Sequence, residues 1–349
     1  MKRPLLGFVH RDPAADVLVM TNMWPEADRP VYGIFVKRQV DSLLDAGLRC
    51  DVLYLRGYAS VLAYPLAAIR FAASSLTWRG KYRLVHVHAG ETALAARFHV
   101  GTPMLVSYCG DDVLGDPRED GTVPRRSRLR AAAVRAHSRL CTATITKTQQ
   151  MHDRLPAATQ RRNTVLPNGV DTDLFRPLDR AECRRRLGWS QDERVALFAG
   201  TRPDSPRKRR ALAEAACVAA SALTGPVRLH VAGAVPPDEM PFVMNAADCL
   251  LLTSSVEGSP NVVKEALMCD LPVVSTPAGD VEWLLEGVAP SAVCPPDPAA
   301  LGRAVAACIE SGGRSNGREA TAGLSAGEVA RRLLEVYERL GVPAPEDDL

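Results

Sequence analysis

The sequence predicts an α/β protein of two doubly wound domains, each built on a parallel sheet, and three observations carry that prediction. Short Val- and Leu-rich runs alternate with Ala- and Arg-rich stretches of helical period, the pattern of β-α-β units. The alternation breaks once, at the two prolines and the Asn-Gly turn of Leu166 to Pro177, and then starts afresh. A chain of 349 residues, 46% hydrophobic and 24% charged, suits two cores of roughly 150 to 190 residues better than one.

In the first half, strands are expected at Val17 to Thr21, Arg49 to Leu55, Leu84 to His88, Met104 to Tyr108, Leu140 to Ile145 and Thr164 to Leu166. Helices are expected between them at Phe35 to Ala46, Leu62 to Thr77, Thr92 to His99 and Pro124 to Ser138. The second half repeats the order, with strands at Val195 to Ala199, Arg228 to Ala232, Cys249 to Thr253, Pro272 to Ser275 and Ser291 to Cys294. The expected domains are 1–170 and 171–325, Rossmann-like and facing one another across a cleft. An amphipathic helix and tail over 326–349 are free to pack back on the first domain. In such sheets ligands bind beyond the carboxyl ends of the strands, which makes the cleft the expected site.

Composition excludes several classes. A net charge of +3 from 43 basic and 40 acidic side chains argues against disorder and against a dedicated nucleic-acid binder. The apolar run before His10 is too short for a secretory signal, and Ala59 to Leu76 is broken by Pro65 and Arg70, a poor membrane span. Nine cysteines, an odd number with no two closer than 14 residues, fit neither a disulfide framework nor a zinc site, and the expected location is the reducing cytoplasm.

The densest chemistry follows the strand at Cys249. Glu257 falls in the loop beyond it, Gly258, Pro260 and Asn261 turn the chain, and Glu265 falls in the first turns of the next helix. Free amides at that helix start suit a phosphate or sugar hydroxyls, and a carboxylate beside them can grip vicinal hydroxyls such as those of a ribose. The same glutamates also read as a solvated capping pair. Upstream, Arg202 follows the strand VALFAG and Lys208 precedes the next helix, a pair of cations suited to a diphosphate. The alternative is a solvated charge run through Arg207, Lys208, Arg209 and Arg210.

Taken together, EGSPNVVKEALMCDLPVVST, GTRPDSPRK, PNGVDTDLFRP and VYGIFVKRQVDSLLDAG resemble the retaining nucleotide-sugar glycosyltransferases of GT-B fold, family four, over Val17 to Leu340. The resemblance implies transfer of a sugar from a UDP- or GDP-type donor to a hydroxyl acceptor on a sugar, a lipid-linked carrier or a small molecule. Such enzymes serve cell-surface polysaccharide, glycolipid or natural-product biosynthesis. It implies that Glu265 holds the ribose, that Glu257 faces the donor sugar, and that Arg202 and Lys208 neutralise the diphosphate. Gly33 would let the backbone approach the diphosphate from the first domain, while Gly258, Ser259, Pro260, Asn261 and Val262 would supply backbone amides and shape. Gly279 and Glu282 match a further donor-site turn. No cofactor and no metal are implied.

Where the family shows His-Gly-x-Asp, this chain has Cys109, Gly110, Asp111 and Asp112. Cys109, Gly110 and Asp112 are therefore candidate acceptor or sugar contacts, together with His88 of VHVHAG, and the acidic pair also reads as a loop cap. The segment from Gly233 to Asp248 replaces a longer base-contacting insert. The stretch Pro124 to Leu140, with Arg125, Arg126, Arg128, Arg130, Arg135 and Arg139, reads either as a solvated helix or as a surface resting on anionic lipid, which would make the protein peripheral on the inner membrane face. Two rival functions stay open: a catalytically silent nucleotide-sugar-binding protein, and a GT-B relative acting as epimerase or phosphorylase.

Overall fold

A computed structural model describes residues 4–345 except 79, 100, 119–121, 201, 234 and 313. The chain divides into two compact units, one formed by Met1–Asp116, Val123–Gly169 and Ala326–Leu349, the other by Pro117–Thr122 and Val170–Ser325.

The first unit holds a sheet of seven strands among the described residues: β1 (Leu6–His10), β2 (Val17–Thr21), β3 (Cys50–Leu55), β4 (Leu84–His88), β5 (Met104–Ser107), β6 (Ala143–Thr146) and β7 (Asn163–Val165). Their order across the sheet is β1-β3-β2-β4-β5-β6-β7, parallel throughout except that β1 runs antiparallel to β3 at the edge. Every residue of β2, β3, β4 and β6 is buried, as a parallel sheet covered on both faces requires.

Two differences from the sequence expectation have local causes. β1 was not expected; LGFVH lacks alternation and contains Gly7, and it gains order by pairing with β3. The strand expected from Leu140 begins instead at Ala143, because Ser138–Leu140 forms a 3-10 turn that leaves Leu140 70% exposed.

The C-terminal helix Ala326–Arg339 belongs to this unit. Its buried stripe of Val329, Leu333, Val336 and Tyr337 joins the core formed by Val40, Leu43, Val17 and Val19. At its end the Tyr337 hydroxyl lies 2.6 Å from His86 Nδ1, and His86 Nε2 lies 2.8 Å from Ser107 Oγ. A fully buried histidine in mid-strand thus has both ring nitrogens partnered, and burial pushes its pKa down to about 3, so the ring is neutral.

The second unit carries β8 (Arg194–Ala199), β9 (Val227–Ala232), β10 (Cys249–Leu252), β11 (Val273–Ser275) and β12 (Ala292–Val293), all parallel in the order β12-β11-β10-β8-β9. Its amino-terminal edge is fastened by Asp248, whose Oδ2 accepts from the Val195 amide at 2.7 Å and from buried Arg184 at 3.1 Å, while Arg180 also pairs with the carboxylate. Among the described residues no helix is long and apolar enough to cross a membrane.

Tyr337→Phe is expected to leave a ring nitrogen of His86 buried without its partner, at a cost of about 1–3 kcal/mol. Urea unfolding of the variant should show a lower midpoint with an unchanged slope; an unaltered midpoint would mean that the contact contributes nothing.

Candidate functional site

In the second unit the chemistry gathers beyond the carboxyl ends of three neighbouring strands, β11, β10 and β8. β8 ends at Ala199 and Gly200, and after a loop the chain forms the 3-10 turn Pro206–Lys208 before the helix Arg210–Thr224. The Lys208 side chain folds back over Gly200, so that a Cβ there would sit 3.4 Å from Lys208 Cε. β10 leads into the loop that carries Glu257 and then into the helix Asn261–Met268. The two loops are tied together by backbone: the Thr253 hydroxyl donates to the Lys208 carbonyl at 2.7 Å, and the Ser255 amide donates to the Arg207 carbonyl at 2.8 Å.

This tie brings Lys208 and Glu257 together, with Nζ 2.6 Å from Oε1 and both side chains roughly one-fifth exposed. The sequence expectation of two cations side by side is thus modified, since Lys208 is paired with a carboxylate and Arg202 lies exposed in the preceding loop. Arg210 is engaged by Asp204 at 2.7 Å and by Glu214 at 2.9 Å, a solvated charge cluster at the helix start.

β11 contributes Gly279, at a φ of +64°, where a Cβ would collide with the Gly258 carbonyl oxygen. Only glycine allows the two turns this close approach. The Asp280 amide donates to that carbonyl at 3.2 Å, and burial pushes the Asp280 carboxyl up to about 6. Ser259 Oγ is buried just ahead of Pro260, which caps the Asn261–Met268 helix. The helix start leaves amides of its first turn outside the helical ladder, and Glu265 lies half-buried one turn along. Glu282 is exposed in the short helix Val281–Leu284.

In the first unit a second polar group lies at the carboxyl ends of β4, β5 and β6. His88 is buried against His86 with ring centroids 4.4 Å apart, its Nδ1 lacks a partner, and desolvation keeps it neutral. Asp112 spends both carboxylate oxygens on backbone amides, from Gly90 and Gly110 at 2.9 Å each and from Cys109 at 3.1 Å. Its carboxylate fixes the Cys109-Gly110 turn, with Gly110 at a φ of +138°. This is the loop-capping reading of the acidic pair. Gly33, at a φ of +73°, caps the helix Ile34–Asp45, and a Cβ there would collide with the Met23 backbone.

Sequence reasoning missed Lys147. It follows β6 directly, is 2% exposed, and its ammonium has no hydrogen-bond partner although Cys109 and Asp112 are within electrostatic reach. Burial pushes its pKa down to about 8. The signal was the rule that strand ends carry chemistry, applied to TITK.

Lys147→Met is expected to raise thermal stability at pH 7. With a folded pKa of about 8 against an ordinary 10.5, both folded and unfolded chains hold the proton below pH 8 and the burial penalty is fully present. Between those values the unfolded chain binds more protons, so wild-type stability rises with pH relative to the variant. Melting curves from pH 7 to 11 should show the gap closing; a gap independent of pH would overturn the assignment.

Comparison with known proteins identifies the family and the fold. The family model for glycosyl transferases group 1 matches residues 184–311. D-inositol 3-phosphate glycosyltransferase 1 of Catenulispora acidiphila is 30% identical over 321 residues, covering 79% of this chain and 76% of the relative. D-inositol 3-phosphate glycosyltransferase of Acidothermus cellulolyticus is 27% identical, covering 72% of this chain and 65% of the relative. Among solved structures, sucrose-phosphate synthase from Thermosynechococcus elongatus superposes with a TM-score of 0.72 at 16% identity, covering 93% of this chain and 99% of the other. Anabaena HepE in complex with UDP gives 0.66 at 17% identity, covering 93% and 100%. The fold is that of the GT-B glycosyltransferases, and the chain is a transferase that belongs to the group 1 glycosyl transferases.

Proposed function

We propose that the protein transfers a sugar from a nucleoside diphosphate donor to a hydroxyl acceptor, with retention at the anomeric carbon and without a divalent metal. The observation that carries this reading is the junction of Lys208, Glu257 and the Asn261–Met268 helix start beyond three adjacent strand ends. Anabaena HepE, which shares the fold, has been crystallised with UDP and with UDP-glucose, and this supports a nucleotide-sugar donor.

As the bond from the anomeric carbon to the diphosphate breaks, negative charge grows on the leaving oxygen and positive character on the sugar ring. In this reading Lys208, Arg202 and the amides of the helix start meet that negative charge. Glu257 holds Lys208 in place and faces the sugar hydroxyls; Glu265 takes the ribose. The leaving phosphate oxygen accepts the acceptor's proton on the face from which it departed, so the new bond forms there and configuration is retained. The exposed arginines of the Arg125–His137 helix, Arg125, Arg126 and Arg128, beside Leu129 at 63% exposure, offer a surface to anionic lipid.

Ribose hydroxyls keep their charge through the reaction, so Glu265→Gln should raise the donor KM more than it lowers kcat. Arg202→Ala and Lys208→Ala should each lower kcat by roughly a hundredfold, and by less than the product when combined. Steady-state kinetics with chelator present decides: normal kcat in both cation variants, or activity restored only by magnesium or manganese, would overturn the site. Sedimentation with phosphatidylserine vesicles tests the lipid surface; equal partitioning to neutral vesicles, or no loss on changing the three arginines to Glu, would leave a solvated helix.

A further inference from the structure

An open groove of about 860 Å³ lies in the first unit, a volume within the range of roughly 300–1,000 Å³ found for small-molecule sites. Its inner rim is built from residues that follow three adjacent strands: Asn22 after β2, Gly57 after β3 and Glu91 after β4. It therefore begins where the chemistry of this sheet lies. From there it runs outward between the Ala63–Thr77 helix, which presents Ala68 and Ile69, and the Gly90–Ala96 helix with its following turn, which present Leu94 and Phe98.

The polar groups are confined to one end. Asn22 Nδ2 donates to the Tyr64 hydroxyl at 2.9 Å, which leaves Asn22 Oδ1 buried with no hydrogen-bond partner. Glu91 is held by Arg130 at 3.3 Å. The rest of the wall is apolar and includes large side chains open to solvent, Val61 at 77%, Ile69 at 68% and Phe98 at 48%. Single exposed apolar residues are ordinary, whereas several that line one groove mark a place for an apolar ligand.

We propose that this groove is the acceptor subsite and that the acceptor is amphipathic, with a hydroxyl-bearing head at Asn22 and Glu91 and an aliphatic chain along Ala68, Ile69, Leu94 and Phe98. The inference rests on the glycosyltransferase reading and specifies its acceptor class. A wholly polar polyol would leave the apolar Ile69, Leu94 and Phe98 surfaces in water and gain nothing from them, whereas an aliphatic chain laid along them removes that surface from water. A head with a chain matches both ends, and its hydroxyl supplies the donor that Asn22 Oδ1 lacks.

The test uses the full chain and butyl, hexyl and octyl glucosides below their micelle concentrations, with binding measured by calorimetry. Affinity should rise by about fourfold per methylene, the fold-change that corresponds to ~0.8 kcal/mol per buried CH₂. Ile69→Glu, on an exposed position that leaves the fold intact, should flatten the series, and Ala68→Trp should shorten the chain that still gains. Stabilisation by UDP or GDP in a thermal-shift assay should be the same in wild type and variants. Affinity independent of chain length overturns the proposal, as does a full chain-length gain in both folded variants. Dimerisation abolished by Ile69→Glu, without chain-length dependence, assigns the face to a second copy and also overturns it. Loss of nucleotide stabilisation with the alkyl series intact would sink the donor reading, and with it the groove's role as an acceptor subsite, while the groove would remain a site for an amphiphile.

Discussion

A parallel sheet covered by helices on both faces leaves polar chemistry only one place to go, the space beyond the strand ends. Both units of this protein obey that constraint. Strands β2, β3, β4 and β6 are buried at every residue, so most of the charged and hydrogen-bonding groups that could act on a ligand appear at the strand ends and in the loops that follow them. Lys208, Glu257 and Gly279 follow β8, β10 and β11; Asn22, His88, Cys109 and Lys147 end or follow β2, β4, β5 and β6. Polar side chains that stay inside a strand are partnered, as His86 is at both ring nitrogens and Asp51 is by Lys81 and Tyr82, because an unpartnered buried polar atom is expensive.

The strand ends must also come close to one another, and glycine makes this possible. At Gly279 the backbone turns with positive φ and presses against the Gly258 carbonyl, so the loops after β10 and β11 share one floor. The Asp280 amide completes that contact. In the first unit Gly33 does the same against Met23. The resemblance to nucleotide-sugar transferases assigns Gly33 to donor approach, but this packing is by itself enough to require glycine there.

Much of the architecture was legible because buried parallel strands read as continuous apolar runs and their helices as periodic ones. The miss at β1 and the shift at β6 share a cause: an edge strand and a strand entrance are half-solvated, and their composition carries no strong pattern. At the site, Lys208 and Glu257 could be named from their motifs, yet their ion pair joins residues 49 apart in sequence and needed the register of β8 with β10. Lys147 belongs to no motif: its place just after β6 was legible from the strand-end rule, but its burial without a hydrogen-bond partner follows only from tertiary structure.

The Lys208–Glu257 pair is easily mistaken for a stabilising feature. Ion pairs with this degree of solvent contact contribute about 0–1 kcal/mol, too little to justify the backbone ties from Thr253 and Ser255 that hold the two loops together. Those ties make sense if the position of the ammonium is what matters. A lysine alone on a loop would spread its charge over many rotamers, whereas one laid over Gly200 and fixed by Glu257 presents its remaining N–H donors in one direction. An anion that arrives there meets a charge already oriented, and the cost of ordering it has been met in folding. Under the proposed function that anion is the departing diphosphate, whose charge grows as its bond to the sugar breaks, so a cation ordered in advance acts most strongly where the charge is greatest.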